Sequence, residues 1–421
     1  MINYLSRAQK IQSRIVEMGQ ITTQHAGKDD SGKAFFISSS NKIAEWMNDT
    51  GLETRIDNIG NVRGILRSKT PNAKTFVIGS QYNNDKNDAK FDGPLSILTG
   101  MDIAQNVIAQ KIDLSFNLEI VAFSEKEDTR FNTSYLGSKA LSGRFNNYIL
   151  DKKDEKGNTL GDVLTSLNLD VSKIKEENIP ADEWLGYLEI HTEQGLVLHN
   201  RKIPVSAVQA LAGQKRVQIK FVGKPGHAGN VPMNVRVDAL CAAAQFIVET
   251  EEYASPERRN LVATVGQINV EDAARNLIPH VVTCSLDIRS ADPARLSKAY
   301  EALNKKCERI CHKRNVYFEW KLLHETEPVI CDEKLREMMN QSISKKKLEV
   351  VELVSGAGHD AAIISRVAPV AMLFLKYHKN NNFNSLGNVE NKYIAVALEV
   401  SDNLIQLLNI SEQKRLEKVT A

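Results

Sequence analysis

Short apolar runs that break into polar loops alternate with amphipathic segments along the first half of the chain. The apolar runs lie at residues 75–78, 118–123 and 185–190. The amphipathic segments lie at residues 1–20, 38–50 and 94–109. Runs this short are typical of buried strands, and the repeated order of strand, loop and helix predicts a mostly parallel sheet with helices on both faces. Two further strands are predicted within residues 55–66, on either side of a turn at Asn58 and Gly60.

The pattern changes after Gln209, where hydrophobic and polar residues alternate one by one. Antiparallel strands are predicted at residues 216–222, 261–270 and 281–288, and amphipathic helices at 234–253 and 292–313. Buried strands return at residues 350–354 and 367–375, and a last helix is predicted at 394–408. The predicted fold class is therefore α/β: a mostly parallel catalytic-type domain (residues 1–208 and 325–421) is interrupted by an inserted α+β domain (residues 209–324).

Length, composition and charge are those of an ordinary globular protein. The chain has 421 residues, 42% of them hydrophobic and 25% charged, and its 54 basic and 52 acidic residues are interspersed. No basic patch for nucleic acid is evident, and the longest apolar runs are too short to span a membrane. We therefore expect a cytoplasmic protein that binds neither nucleic acid nor a membrane.

Polar residues follow four of the predicted strands, at the end of the sheet where α/β enzymes place their chemistry. The four groups are Gln81, Asn83 and Asp92; Glu125, Lys126 and Glu127; His191 and Glu193; and Ser355 to Asp360, which includes His359. Carboxylates and a histidine that converge in this way would suit a metal-assisted hydrolase. Each residue alone is more often structural. Asp92 and the pair of His359 and Asp360 precede predicted helices and could simply cap them.

Several longer motifs, taken in order, point to one family. They are residues 57–61 (DNIGN), 91–93 (FDG), 189–195 (EIHTEQG), 226–233 (GHAGNVPM), 276–279 (NLIP), 286–289 (LDIR) and 355–361 (SGAGHDA). Together they resemble the metal-dependent amidases that include allantoate amidohydrolase, N-carbamoyl-L-amino acid hydrolase and β-ureidopropionase. The resemblance implies a catalytic α/β domain and a smaller lid domain that also forms the interface of a homodimer.

The resemblance also implies a site for two metal ions, of which this chain keeps only part. Asp92, which would bridge the two ions, His191 and Glu127 match ligands of the family. Gln81 and Asn384 stand where the family has its two other histidine ligands. An amide oxygen is a poor substitute for an imidazole at a transition-metal site, so two of the five ligand positions are weakened or lost.

The distribution of histidines shows that misalignment does not explain the first missing ligand. No histidine lies between His25 and His191, and none follows His378. The last ligand is missing too unless His378 replaces it, about six residues before Asn384. Metal geometry tolerates only a few tenths of an ångström, which disfavours that replacement.

A lysine occupies the position of the family's catalytic glutamate. This residue is Lys126, and Asn83 replaces an aspartate that orients the first histidine. An ammonium beside Asp92 and Glu127 would take the place of the lost cations, because buried anions need a positive partner. We therefore predict no tight dinuclear site and expect no cofactor. A weak mononuclear zinc or manganese site at Asp92, with His191 or Glu127, is the alternative.

The substrate-binding residues of the family are retained. His227 matches the histidine that stabilises the oxyanion, and Asn276 and Arg289 match the residues that hold the substrate's carboxylate. Also retained are Gln194, Gly356 and Ala357. A guanidinium pairs with a carboxylate through two parallel hydrogen bonds, which suits Arg289 to this role. In the alternative interpretation, Asn276 and Arg289 hold the lid sheet together and His227 is an ordinary loop histidine.

The sequence thus favours an amidohydrolase-like enzyme that binds a small carboxylate-bearing amide, ureido compound or amino acid. Its chemistry would be metal-independent: Lys126 would act as acid, base or nucleophile beside Glu127, and His227 would polarise the carbonyl. Two alternatives stay open. One is a catalytically inactive relative that serves as a binding dimer, and the other is an ordinary metal-dependent hydrolase of N-carbamoyl amino acids or allantoate.

Overall fold

The computed structural model describes residues 3–25, 31–82, 91–124, 131, 133–257, 260–377 and 389–420. Its helices are α1 (Tyr4–His25), α2 (Ser31–Thr50), α3 (Pro94–Ala109), α4 (Leu136–Leu141), α5 (Leu160–Ser166), α6 (Val197–Arg201), α7 (Ala239–Ala254), α8 (Pro293–Arg314), α9 (Glu333–Lys345), α10 (Asp360–Ile364) and α11 (Asn391–Thr420). Its strands are β1 (Glu53–Ile56), β2 (Val62–Leu66), β3 (Thr75–Gln81), β4 (Asn117–Phe123), β5 (Trp184–Thr192), β6 (Val205–Leu211), β7 (Gly213–Val222), β8 (Gly226–His227), β9 (Val262–Thr264), β10 (Ile268–Val270), β11 (Leu277–Ile278), β12 (Val281–Ser290), β13 (Tyr317–Thr326), β14 (Val329–Ile330), β15 (Glu352–Ser355) and β16 (Val370–Leu375).

The chain forms two compact units. The first consists of Met1–Gln209, Cys331–Leu353 and His359–Ala421. The second consists of Ala210–Ile330 and Val354–Gly358. The sequence placed the boundaries after residues 208 and 324. It assigned the segment that carries Gly356 and Ala357 to the catalytic-type domain, whereas the contacts of that segment lie within the second unit.

The first unit is built on a sheet whose four central strands run parallel, in the order β4, β3, β5 and β16. The antiparallel strands β2 and β1 extend the sheet beyond β4, and β6 pairs antiparallel with β16. Helices α1, α3, α9 and α11 share one apolar core with the sheet, and α10 packs against β5 and β16 on the opposite face. The predicted α/β class with a mostly parallel central sheet is confirmed.

Strand β5 separates apolar from polar side chains by simple alternation. Leu188 and Ile190 join the large apolar core, whereas Glu189 and His191 point to the opposite face. All nine residues of β5 except Leu185 are buried, so the two polar residues have no access to bulk water. Their hydrogen bonds must therefore come from the protein or from a bound ligand.

The second unit has the antiparallel sheet that the alternating pattern predicts. Its strand order is β10, β12, β7 and β13, and β9 also pairs with β12. Helices α7 and α8 bury an apolar core against this sheet. Residues 261–270 form two short strands rather than one. The predicted helix start at Asn234 is wrong, because the carboxylate of Asp238 caps α7 by accepting a hydrogen bond from the Cys241 amide (3.0 Å).

Polar helix ends account for most other differences from the predicted elements. Helix α1 extends to His25, α2 begins at Ser31 instead of residue 38, and α11 continues to Thr420, well beyond residue 408. The last turns of α11 are rich in Glu, Gln, Lys and Arg, which favour helix without contributing to the apolar pattern. Residues 365–367 form a turn after α10, and β16 begins only at Val370.

Within the described part of the chain, one helix is long and apolar enough to cross a membrane by length and composition. This segment is Asn391–Lys418 of α11, and 56% of its most apolar window is buried inside the protein. Its Ile394, Leu398 and Leu404 belong to the main apolar core. Packing against the sheet thus explains the hydropathy of α11, while the cytoplasmic location stays a prediction.

A buried ion-pair cluster fastens the N-terminal helix to the core of the first unit. Arg7 in α1 donates through Nε to Asp102 in α3 (2.5 Å) and through Nη1 to Asp402 in α11 (2.6 Å). The exposed fractions of the two carboxylates are only 8% and 3%. A single guanidinium therefore pairs with two nearly dehydrated carboxylates.

We predict that Arg7→Met lowers the free energy of unfolding by about 3–5 kcal/mol, since it leaves two buried carboxylates without their cation. The matched control is Arg67→Met, which removes an exposed pair with Glu53 (2.7 Å) and should cost less than about 1 kcal/mol. Urea unfolding of both variants measures the difference. Equal losses in the two variants would show that Arg7 does not hold the helices together.

Candidate active site

A close approach of two backbone segments positions Asp92 at the end of β3. Gly93 has φ of 90°, and a Cβ atom at this residue would lie 1.9 Å from the carbonyl oxygen of Gln81. Only glycine fits there. Gly93, not Asp92, is the N-cap residue of α3, and no side chain caps that helix. The interpretation of Asp92 as a helix cap is therefore wrong.

The end of β5 supplies hydrogen bonds to Asp92. The hydroxyl of Thr192 donates to Asp92 Oδ1 (2.7 Å), and Nε2 of Gln194 donates to Asp92 Oδ2 (3.0 Å). Nδ1 of His191 lies 3.3 Å from Asp92 Oδ1. Three of the residues expected at the site, Asp92, His191 and Gln194, thus lie together, and Asp92 is buried with 8% of its surface exposed.

Gln81 does not offer the ligand that a second histidine would provide. Its side chain is buried, and its Oε1 accepts a hydrogen bond from the Ser80 hydroxyl (3.0 Å). A neutral amide oxygen that is already hydrogen-bonded binds Zn²⁺ or Mn²⁺ far more weakly than an imidazole does. The residues present therefore do not fit the pair of ions that the family resemblance implies.

A second group of possible ligands lies on the same face of the first unit. Glu189, His191 and His359 each offer one ligand atom, and these atoms lie within 4.8 Å of one another. Nδ1 of His359 is 3.4 Å from Oε1 of Glu189, and the two imidazole rings meet edge to face with centroids 4.9 Å apart. This triad argues against the expectation that no cofactor binds.

The carboxylate of Glu189 is held by several donors. The Ala361 amide donates to Oε2 (3.1 Å), and the hydroxyls of Ser80 and Tyr187 lie within hydrogen-bonding distance of Oε1 (3.1 Å) and Oε2 (3.2 Å). Each hydroxyl shares its one proton with a second acceptor, which is Gln81 Oε1 for Ser80 (3.0 Å) and the Gly79 carbonyl for Tyr187 (2.9 Å). Burial, together with the charges of Glu189 and Asp360, raises the pKa of Tyr187 well above its usual value, so this hydroxyl remains a donor. The orientation of Glu189 is thereby fixed.

The sequence missed the triad, although part of its signal was present. Glu189 and His191 are two residues apart on a strand, which places them on the same face. His359 was interpreted as a helix cap; it does occupy the N-cap position of α10, but its side chain makes no capping hydrogen bond. Its position beside Glu189 depends on how α10 packs against β5.

The remaining positions expected at the metal site lie outside the described residues. They are Lys126, Glu127, His378 and Asn384. The described chain ends at Ser124, just after β4, and resumes at Phe131. The roles of Lys126 and Glu127 therefore stay predictions from the sequence.

In the second unit, His227 and Asn276 lie next to each other. Strands β8 and β11 form a two-stranded ribbon in which Leu277 pairs with His227, and the Ala228 amide donates to the Asn276 carbonyl (2.9 Å). Nδ1 of His227 accepts a hydrogen bond from the Gly229 amide (3.1 Å). The neutral imidazole of His227 therefore carries its proton on Nε2.

Arg289 is held on strand β12 by a carboxylate and a carbonyl. Its Nε and Nη2 donate to the two oxygens of Asp287 (2.8 and 2.9 Å), and its Nη1 donates to the carbonyl of Gly356 (2.5 Å). Burial favours a higher pKa for Asp287, but hydrogen bonds and charge from Arg289, Gln214 and Arg216 outweigh it and lower the pKa. These contacts are also consistent with the alternative interpretation, in which Arg289 stabilises the lid sheet.

Comparison with known proteins identifies relatives along most of the chain. The family model of peptidase family M20/M25/M40 matches residues 76–406. Allantoate deiminase 2 of Glycine max is 34% identical, over 86% of this chain and 82% of the relative. An N-carbamoyl-L-amino-acid amidohydrolase of Pseudomonas sp. (strain NS671) is 29% identical, over 87% of this chain and 90% of the relative. An amidase of the hydantoinase/carbamoylase family from Burkholderia multivorans has the same fold, with a TM-score of 0.82 at 24% identity over 94% and 97% of the two chains.

The fold and these relatives define an amidohydrolase-type enzyme. The chain belongs to peptidase family M20/M25/M40. The family resemblance inferred from the motifs is thereby confirmed.

We predict that Gly93→Ala is far more destabilising than an alanine at another glycine of similar φ. Gly157 has φ of 86° with no atom within 4 Å of its Cβ position, so Gly157→Ala pays only the backbone strain, about 1–2 kcal/mol. Gly93→Ala adds a clash with the Gln81 backbone and should also displace Asp92. Urea unfolding of the two variants checks this, and equal destabilisation would contradict the close approach at Gln81.

Proposed function

We propose that this protein hydrolyses the amide C–N bond of a small N-carbamoyl or ureido compound that carries a carboxylate. Relatives named allantoate deiminase and N-carbamoyl-L-amino-acid amidohydrolase support this substrate class. The reaction would proceed without the two-ion centre that the family resemblance implies, because the buried amide of Gln81 stands at a histidine position.

The hydrogen bond at His227 is the observation that carries the proposal. The Gly229 amide occupies Nδ1, so Nε2 of the neutral imidazole is an N–H donor on an exposed side chain. Attack on an amide carbonyl places negative charge on its oxygen, and a preoriented neutral N–H donor stabilises that charge in the transition state. An ordinary loop histidine would not need a fixed tautomer.

Charge in the second unit favours an anionic substrate. The guanidinium groups of Arg289 and Arg216 both contact Asp287, at 2.8 and 3.4 Å. Asp287 holds the guanidinium of Arg289 in one orientation. A carboxylate on the substrate would bind to the guanidinium of Arg289, with Asn276 as a neutral hydrogen-bonding neighbour.

The proton transfers are assigned to the first unit. Asp92 is fixed by Thr192 and Gln194, and the sequence places Lys126 and Glu127 in the loop after β4. A lysine ammonium can donate a proton to the departing nitrogen of an amide. This assignment of Lys126 rests on its match to the catalytic position of the family.

We predict that His227→Asn lowers kcat by about 10²–10³-fold, the usual effect of removing one oxyanion donor. The matched variant His227→Gln should keep a larger share of the activity, because its longer side chain places an amide N–H near the former Nε2. Product release from a panel of N-carbamoyl-L-amino acids and allantoate measures both variants. Unchanged kcat in His227→Asn would contradict the assigned role.

We predict that Arg289→Lys raises KM by at least about tenfold with a smaller change in kcat, because an ammonium cannot reproduce the planar pairing with a carboxylate. Arg216→Lys keeps a positive charge beside Asp287 and should change KM much less. For a substrate analogue with a carboxamide in place of the carboxylate, wild type and Arg289→Lys should have similar KM values. Persistence of that difference would show that Arg289 acts through the lid sheet alone.

A binding protein without turnover is the second candidate function. The amide of Gln81 favours it, because that substitution removes a metal ligand from a buried position. Calorimetric titration with the same compounds separates the two functions: heat of binding without release of product would establish the second.

The homodimer through the inserted unit likewise remains a proposal, which sedimentation of the full chain tests.

A further inference from the structure

We propose that Glu189, His191 and His359 bind a single divalent transition-metal ion of the zinc type in the interior of the first unit. The ion would bind Nε2 of His191, on the side of the ring away from Asp92. This site shares His191 with the paired-ion site that the family resemblance implies, but its other ligands are Glu189 and His359. It does not depend on the proposed hydrolysis.

The ligand set and its spacing suit such an ion. Two imidazoles and one carboxylate are a common protein set for Zn²⁺. Ligand atoms bound about 2.0–2.1 Å from a tetrahedral ion lie roughly 3.4 Å apart. The separation between His359 Nδ1 and Glu189 Oε1 is 3.4 Å, and every ligand atom of the triad lies within 4.8 Å of the others. Small side-chain rotations would bring His191 to bonding distance.

The orientation of His191 leaves one nitrogen for a metal. Its Nδ1 lies 3.3 Å from Asp92 Oδ1, and in the tautomer that carries its proton on the nitrogen facing this carboxylate the lone pair is on Nε2. Nε2 is buried and has no hydrogen-bond partner among the described residues. An unsatisfied buried nitrogen is costly, and a metal–nitrogen bond would remove that cost. Asp92 would then be the outer carboxylate that fixes the ring of a metal-bound histidine.

The surroundings of Glu189 suit a metal-bound carboxylate. The Ala361 amide donates to one of its oxygens, and the hydroxyls of Ser80 and Tyr187 lie within hydrogen-bonding distance of the two oxygens. A ligating carboxylate is commonly supported in this way by outer hydrogen bonds. Glu189 is 0% exposed, and a divalent ion would offset its charge where water cannot.

The burial of the triad indicates a structural role for the ion. His191 and His359 are each 1% exposed, so a substrate would not reach an ion between them. The ion would link the end of β5 to the residue that begins α10. Binding should therefore raise the thermal stability of the protein and hold His191 against Asp92.

Titration of the metal-free full chain with Zn²⁺, and with Co²⁺ as a spectroscopic probe, tests the site. We expect one equivalent to bind to wild type and to raise Tm, and we expect Glu189→Gln and His359→Gln to lose that binding. His199→Gln, an exposed histidine of the same unit, is the matched control and should bind as wild type does. Asp92→Asn should weaken binding by about 10–100-fold without abolishing it, as an outer carboxylate does.

The same variants provide the results that would overturn the proposal. An ion that survives His359→Gln but is lost in Asp92→Asn would lie between His191 Nδ1 and Asp92 instead. No binding to wild type, or two equivalents, would also contradict a single site.

Because buried variants can misfold, X-ray absorption on Co²⁺-loaded wild type is the second measurement: two imidazoles should scatter around the ion, and one imidazole would refute the triad. None of these readouts depends on turnover.

Discussion

The burial of polar groups on one face of strand β5 is the constraint on which the site depends. Alternation places Leu188 and Ile190 in the apolar core and leaves Glu189 and His191 on a face that water does not reach. Polar groups buried in this way destabilise the fold unless hydrogen bonds or ions satisfy them. Asp92 lies beside His191 at the end of the strand, where Thr192 and Gln194 hold its carboxylate.

In the first unit, an amide stands at a position where the family resemblance implies a metal-binding histidine. The amide of Gln81 bonds locally to Ser80, and Lys126 stands where the resemblance implies a glutamate. Losing ions while keeping every carboxylate would leave uncompensated buried charge. In the proposed metal-independent reaction, Gln81 and Lys126 would avoid that outcome.

The second unit shows no corresponding loss. His227 keeps a defined tautomer through the Gly229 amide, and Asp287 keeps the guanidinium of Arg289 in one orientation. Fixing these groups before a ligand arrives reduces the ordering cost of binding. A chain that had lost all affinity for small anions would gain little from maintaining two arginines around one aspartate.

The sequence by itself determined most strands and helices, because both leave local periodic signals. Residues 75–78 and 94–109 were recognised as a strand and a helix. The α/β class followed from the order of such elements. It also determined that position 81, where the family resemblance implies a histidine, is a glutamine. The tertiary structure alone decided which distant residues meet. Glu189 and His359 come together because α10 packs against β5, and Asp92 meets His191 because a glycine lets two backbones touch. Such contacts depend on packing between elements, which no local pattern of residues encodes.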